Sequence, residues 1–227
     1  MMEAAIPEGS FAIATNAFLL KGTDNNYILV DAEYGKELFN NLDTLGVKPE
    51  DITTILLTHT HGDHIGGLLK DDERAFPNAE IVLSRQELEF WEQAGNPKAN
   101  TIREKYPIRT VELKTLKEAV LDNKTSIQHI AALGHTPGHT AFLVSSQGNH
   151  LLVWGDLTHA MAIQMPYPQV AVTYDTDPEA AVRSRMEILE FAAKNRIPCA
   201  GMHIPYPAIG TLKANGKGGY EFIPMAR

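Results

Sequence analysis

Residues 51–64 read DITTILLTHTHGDH. The first half is β-branched and apolar, which suits a strand buried on both faces. Directly after it come His59, His61, Asp63 and His64, four candidate metal ligands within six positions. His59 and His61 are two residues apart, so an extended segment projects both to one side. Asp63 and His64 follow one loop turn later and can converge from another direction. Imidazole with carboxylate suits zinc, iron, manganese or cobalt better than calcium or magnesium, which prefer all-oxygen shells. A catalytic ion is normally held by three protein ligands and keeps one position for water. This loop carries too much chemistry for half of one site, so it points to two ions, each completed from elsewhere. The competing reading, a solvated polar loop, is the weaker one for four potential ligands crowded behind a buried strand.

The rest of the chain can support such a site. Its 227 residues, 44% hydrophobic and 21% charged, are enough for one good-sized domain, assigned to residues 1–227. The net charge of −8 disfavours nucleic acid and anionic membranes, which need cationic patches. No apolar run is long enough for a membrane-spanning helix. Met1–Ser10 lacks a basic start followed by an apolar stretch. The sequence as given therefore suggests the cytoplasm; a form whose leader had been removed would be periplasmic or secreted. The single cysteine, Cys199, excludes an internal disulfide and reads as a small buried hydrophobe.

Patterning sets the order of elements. FAIATNAFLL (11–20) and NYILVDAE (26–33) read as strands joined by the polar turn KGTDNN. KELFNNLDTLG (36–46) reads as a helix stopped by Gly46, and AEIVLS (79–84) as a strand. In SRQELEFWEQAG, Ser84 with Glu87 makes a capping box. Residues 96–106 read as partly helical. SIQHIAAL (126–133) is a strand, and 140–156 a hairpin turning around Gln147–Asn149. QVAVTYD offers a short strand. A helix begins with Asp177 as N-cap and Pro178 at its first position, with a stripe of Ala181, Met186, Leu189 and Ala193. IPCAGMH (197–203) is the last core strand. The expected class is α+β.

Three further ligand candidates follow apolar strands or open one. His139 lies in GHTPGHT, Asp156 in VWGD and His203 in AGMH. Alone, each reads as a turn or hydrogen-bonded residue; together, they read as a site at a sheet edge. The motifs THTHGDH, GHTPGHT, WGD and GMH, in this order and spacing, resemble the metallo-β-lactamase-fold hydrolase superfamily over about residues 16–203. That resemblance implies an αββα four-layer sandwich of two mixed sheets and a binuclear site. By position it implies His59, His61 and His139 on one metal, Asp63, His64 and His203 on the other, and Asp156 bridging both. Zinc is the first expectation, with manganese, iron or cobalt as alternatives. The segments 154–181 and 201–210 resemble the branch of methyl-parathion-hydrolase-like enzymes, lactonases and arylesterases. Many relatives carry Asp-x-Gly where this chain has Asp31, Ala32 and Glu33, which puts that loop's geometry in question.

The other histidines receive plainer readings. His135 is structural or supports a ligand, His129 sits in a strand and His150 at a hairpin end. His159 could line a pocket. Most aromatics and methionines belong to the core; Trp91, Met161 and Tyr167 are expected to line a cavity. Gly66 and Gly67 allow close packing beside the site. The resulting expectation is a small-molecule hydrolase, a homodimer as relatives often are, with no nucleic-acid or membrane partner. A metal-bridging hydroxide would attack small neutral esters, lactones or aryl esters, and phosphotriesters promiscuously. Asp63 would orient that nucleophile and carry a proton. The rivals are a thioesterase or β-lactamase-like hydrolase of the same fold, an iron-dependent oxidoreductase of the persulfide-dioxygenase kind, and a metal-stabilised binding module.

Overall fold

The structure is a computed structural model and describes residues 12–22 and 26–225. The chain forms two compact units, residues 16–112 and residues 113–227 together with the segment up to Thr15.

The first unit is built on a five-stranded mixed sheet. Its strands are β1 (Phe18–Lys21), β2 (Tyr27–Val30), β3 (Ile52–Leu56), β6 (Glu80–Ser84) and β7 (Ile108–Val111), in the order β1-β2-β3-β6-β7. β1 pairs antiparallel with β2, and the other three pairings are parallel. A small hairpin of β4 (Leu69–Lys70) and β5 (Glu73–Arg74) stands apart from it. Helices α1 (Lys36–Thr44), α3 (Arg85–Gln93) and α4 (Pro97–Lys105) contribute Leu38, Leu42, Trp91, Ala99 and Ile102 to one buried cluster with Leu29, Ile55 and Ile81 from the strands. Two of these helices have a side-chain cap at their start: at α3 Ser84 accepts from the amide of Glu87, and at α4 Asn96 accepts from those of Lys98 and Ala99. β1 and β2 pair antiparallel as expected, and β1 begins only at Phe18; residues 23–25 of the expected turn lie outside the described residues.

Parallel pairing has a direct consequence here. Val30 lies opposite Leu56, and Leu56 opposite Val82, so β2, β3 and β6 end at one sheet edge. The polar residues that follow, Asp31, Thr58–His64 and Ser84–Glu87, are thereby brought together although they are far apart in sequence. Ligand sites in open sheets form beyond carboxyl ends of strands for this reason.

The second unit carries a six-stranded sheet in the order β13-β12-β11-β10-β9-β8. The strands are β8 (Ser126–Ala131), β9 (Thr140–Ser146), β10 (Asn149–Val153), β11 (Cys199–Ala200), β12 (Ile209–Ala214) and β13 (Tyr220–Pro224). Only β10 and β11 pair in parallel, Leu152 opposite Cys199 and Val153 opposite Ala200. Asp156 and His203, a few residues past these two strands, therefore leave the sheet at the same edge. β8 also ends there and β9 begins there, since Ala131 faces Thr140. The β9–β10 hairpin turns through Gln147 and Gly148, both with positive φ, as two-residue hairpin loops require.

The structure corrects three details. Residues 169–175 form no strand: Asp175 caps the amide of Val172 and exchanges a backbone bond with it, which folds the segment into turns. Helix α6 (Pro178–Asn195) starts as expected, with Asp177 accepting from Ala180, but it buries Ala181, Arg185, Ile188, Leu189 and Ala192. Met186, placed on the apolar stripe from the sequence, is 46% exposed. The last core strand is only Cys199–Ala200, and β12 and β13 follow it. The fold class is as expected: α+β, with mixed sheets flanked by helices.

Candidate metal centre

In the first unit, β3 runs into His59 and a short helix, α2 (Gly62–Ile65), carries Asp63 and His64. Asp31 organises the loop from below. Its carboxylate accepts from the amide of Thr58 at 2.8 Å, the Thr58 hydroxyl at 2.7 Å and His64 Nδ1 at 2.6 Å. The hydroxyl proton of Thr58 is used on Asp31, so its oxygen can accept from His59 Nδ1 at 3.1 Å. Both imidazoles then carry their proton on Nδ1 and the lone pair on Nε2, an assignment that follows from the network. The rings of His59 and His64 lie 3.9 Å apart, and those of His59 and His61 4.6 Å apart. Asp31 is fully buried, and burial pushes its carboxyl up against the pull of His64 and the Thr58 hydrogen bonds.

Two supports hold the loop. Glu87 Oε1, buried, accepts from the amide and hydroxyl of Thr60 at 2.9 and 2.8 Å. Behind it, a Cβ on Gly67 would stand 2.2 Å from the Ala32 carbonyl, so only glycine lets the two loops lie this close. Glu33, where the family resemblance leads one to expect glycine, adopts φ 47, and its side chain accepts from the amide of Ala17 at 3.1 Å. The missing glycine is thus accommodated by a left-handed glutamate.

In the second unit, Asp156 is the centre. Its Oδ2 lies 3.0 Å from His159 Nε2, 3.0 Å from His203 Nε2 and 3.3 Å from His135 Nε2. The rings of His159 and His203 stack at 4.9 Å. His203 Nδ1 donates to the Ala14 carbonyl at 2.8 Å, and His139 Nδ1 to the Ala132 carbonyl at 2.8 Å. His139 Nε2 accepts from the Asp156 amide at 3.0 Å. His135 Nδ1 meets Asp175 Oδ1 at 3.1 Å. Burial works against the His135 imidazolium, but the hydrogen bonds to Asp156 and Asp175 win and raise its pKa. For His159 burial wins and lowers it. Asp175 is held below the ordinary carboxylate range: burial opposes this, and the bonds from His135 and Val172 and the charge of Arg185 outweigh it.

This donor set fits a divalent cation. A carbonyl and a carboxylate both accept, so His203 can satisfy Ala14 and Asp156 together only as a doubly protonated ring. With its Nδ1 proton committed to Ala14, a cation removes the conflict, because the Nε2 lone pair and the carboxylate then face one positive charge. The ligand atoms offered by Asp156, His159 and His203 lie within 4.8 Å of one another.

Several of these residues escaped the sequence reading. Asp31 was visible only as part of a family motif, although a carboxylate directly after the buried strand YILV was a signal in itself. Arg185 falls at helical spacing between Ala181 and Leu189, a charge inside a buried stripe. Asp175 left no signal.

A cavity of about 610 Å³ opens in the second unit, lined chiefly by Met161, Met165, Ile204, Tyr206, Tyr220 and Phe222, with Glu221 and Asn215 as polar members. Met161 opens the short helix α5 (Met161–Gln164) two residues from His159, and Ile204 is next to His203, so its walls continue the segments that carry the cluster. Trp91 is outside this lining: it is 1% exposed in the core of the first unit, on the inner face of α3. Tyr167 is half-buried and outside this lining. Cys199 is buried in β11, with its thiol pKa pushed up by burial, which leaves it inert.

The chain resembles known proteins in sequence and in fold. An N-acyl homoserine lactonase of Bacillus cereus is 27% identical over 166 residues; the match takes in 67% of this chain and 56% of the lactonase, so this chain spans little more than half of it. AidC, a dizinc quorum-quenching lactonase solved in complex with a product, superposes with a TM-score of 0.85 at 27% identity, over 100% of this chain and 86% of AidC. The hydrolase AbOPH gives a TM-score of 0.80 at 28% identity, over 95% and 80% of the two chains. Residues 11–197 match the family model of the metallo-beta-lactamase superfamily, and the chain belongs to that superfamily.

Proposed function

We propose that this chain is a binuclear metal-dependent hydrolase of small uncharged esters, with lactones as the favoured class and aryl esters next. In this reading, His59, His61 and His139 would supply donors for one cation, Asp63, His64 and His203 for the other, and Asp156 would serve both. The observation that carries it is the convergence of buried imidazoles on Asp156 Oδ2, His159 and His203 each at 3.0 Å. The lactonase relatives and superfamily membership support it.

When bound, the cations supply a water of lowered pKa and take up the charge that develops on the attacked oxygen. The chain's own residues do the remaining work. Asp31 and Thr58 fix the tautomers of His59 and His64. Asp63, with 21% of its side chain exposed, would take a proton from the attacking water and pass it to the leaving group. The cavity bounded by Met161, Ile204 and Phe222 takes the apolar acyl or aryl portion and excludes water from it. Glu221 at that cavity and the net charge of −8 disfavour anionic substrates. Phosphotriesters are uncharged and fall within the same class as promiscuous substrates.

The test is a substrate panel on protein stripped with chelator and reloaded with zinc or manganese. Acyl homoserine lactones of increasing chain length, aryl esters, phosphotriesters and thioesters are compared alongside elemental analysis. About two metals per chain and lactone or aryl-ester turnover that chelation abolishes are expected. Full metal loading with no turnover of any lactone, aryl ester or phosphotriester overturns the substrate class. Thioester turnover alone replaces it with a thioesterase, and one iron with oxygen consumption replaces it with an oxidase.

A further inference from the structure

Arg185 sits on the buried face of α6, 1% exposed, and spends its donors on backbone carbonyls between β10 and α6. Nε donates to the carbonyl of Leu157 at 2.7 Å, and Nη1 to those of Pro168 and Val170 at 3.0 and 2.8 Å. Its Nη2 lies 3.7 Å from Asp175 Oδ2. Asp175 Oδ1 in turn meets His135 Nδ1, and His135 Nε2 faces Asp156 Oδ2 at 3.3 Å. One guanidinium therefore reaches Asp156 twice. The first arm holds the backbone at Leu157, the next residue; the second runs through Asp175 and His135 to the carboxylate. His135 is itself held at its carbonyl by the amide and hydroxyl of Thr176.

We propose that Arg185, Asp175 and His135 form a buried positioning chain that sets the orientation of the Asp156 carboxylate for cation binding. The proposal rests on the reading of Asp156 as a metal ligand. Three charged or polar side chains buried this deeply are a poor route to stability, because desolvation offsets the attraction between them and apolar residues of similar volume do as well or better. Their arrangement makes sense as orientation: the contacts run to Asp156, to the backbone of Leu157 beside it, and to the 168–172 segment that anchors Arg185 and Asp175. His135 is a positioning residue here, since each of its nitrogens faces a carboxylate.

The experiment is chelator-competition titration of zinc on the full chain, wild type against Asp175→Asn, His135→Asn and the double variant, with urea unfolding of the metal-free proteins beside it. Outer partners of metal ligands typically govern affinity by about 10- to 100-fold, and a loss of that size is expected for each single variant. The double variant should lose no more than the worse single one, because both act through one path. The metal-free proteins should differ far less than the loaded ones. Additive losses, or zinc affinity unchanged in folded variants, overturn the chain; so does a loss of stability that is the same with and without zinc. If Asp175→Asn does not fold, Arg185→Lys takes its place: it keeps the charge but loses the fork on three carbonyls, and an unchanged zinc affinity then counts against the proposal. Wild-type protein that binds no divalent cation overturns the metal-centre reading itself, whereas wild type that binds zinc equally with its variants overturns only the positioning chain.

Discussion

Gly134 gives a sharp test of how the second cluster is held. It precedes His135 and adopts φ +122, a conformation that L side chains rarely take. Its carbonyl accepts from the amide of Asp177 at 2.9 Å, the N-cap of α6, and its own amide donates to Thr136 at 3.1 Å. A Cβ at this position would stand 2.0 Å from the Ala181 nitrogen, 2.5 Å from its Cα and 2.6 Å from the Ala180 carbonyl carbon. These are backbone atoms in the first turn of an 18-residue helix, so they cannot rotate away. Gly134→Ala therefore carries two penalties, about 1–3 kcal/mol for the backbone conformation and about 1–3 kcal/mol for the overlap. At roughly 2–4 °C per kcal/mol for a chain of this size, Tm should fall by about 5–20 °C. Gly95→Ala is the control: φ is +62 with nothing within 4 Å of the added Cβ, so only the left-handed penalty of about 1–2 kcal/mol applies. Urea unfolding at constant m, with thermal melts beside it, reads both. Equal destabilisation by the two substitutions would refute the steric argument, and a loss below about 1 kcal/mol for Gly134→Ala would refute both parts of it.

Two further outcomes are expected. The Glu33 carboxyl is raised, first by burial and also by Glu37, against the Ala17 amide. A raised acid contributes stability below its ordinary pKa and loses it as pH rises through the folded value. Glu33→Gln keeps an acceptor for Ala17 but removes the titration. Urea midpoints should therefore show the variant gaining on wild type from acidic to neutral pH, and a parallel pair of profiles would contradict this. Ser84→Ala removes the N-cap of α3, a 3.0 Å bond to the Glu87 amide. It should lower stability by about 1 kcal/mol. Because Glu87 holds Thr60 between His59 and His61, it should also weaken zinc binding in a chelator titration; an unchanged affinity would separate the cap from the loop.

Much of this molecule is legible along the chain. A β-branched run followed by His59, His61, Asp63 and His64 marks a strand that ends in a donor cluster, since both periodicity and donor chemistry are local properties. Asp177 and Pro178 mark the start of α6 for the same reason: capping is decided within one turn. Met186 and Arg185 mark the limit. The pattern assigned the buried face by hydrophobicity and chose the methionine, whereas the structure buries the arginine because Leu157, Pro168, Val170 and Asp175 can satisfy its donors. Trp91 shows the converse, an aromatic near a motif that belongs to a core. The strands β12 and β13 carry no such local mark, because their identity depends on the neighbours they pair with.

Sequence alone determined which residues could bind a cation and that they stand at strand ends, because side-chain chemistry and strand periodicity are carried within a few positions. Tertiary structure decided how they are held. Asp31 supports His64 because parallel pairing aligns the ends of β2 and β3, and Asp156 and His203 share an edge because β10 and β11 run parallel. Asp175 reaches His135 across 40 residues. Such partners are chosen by hydrogen-bond satisfaction among buried groups, a condition on positions in space that no local pattern encodes.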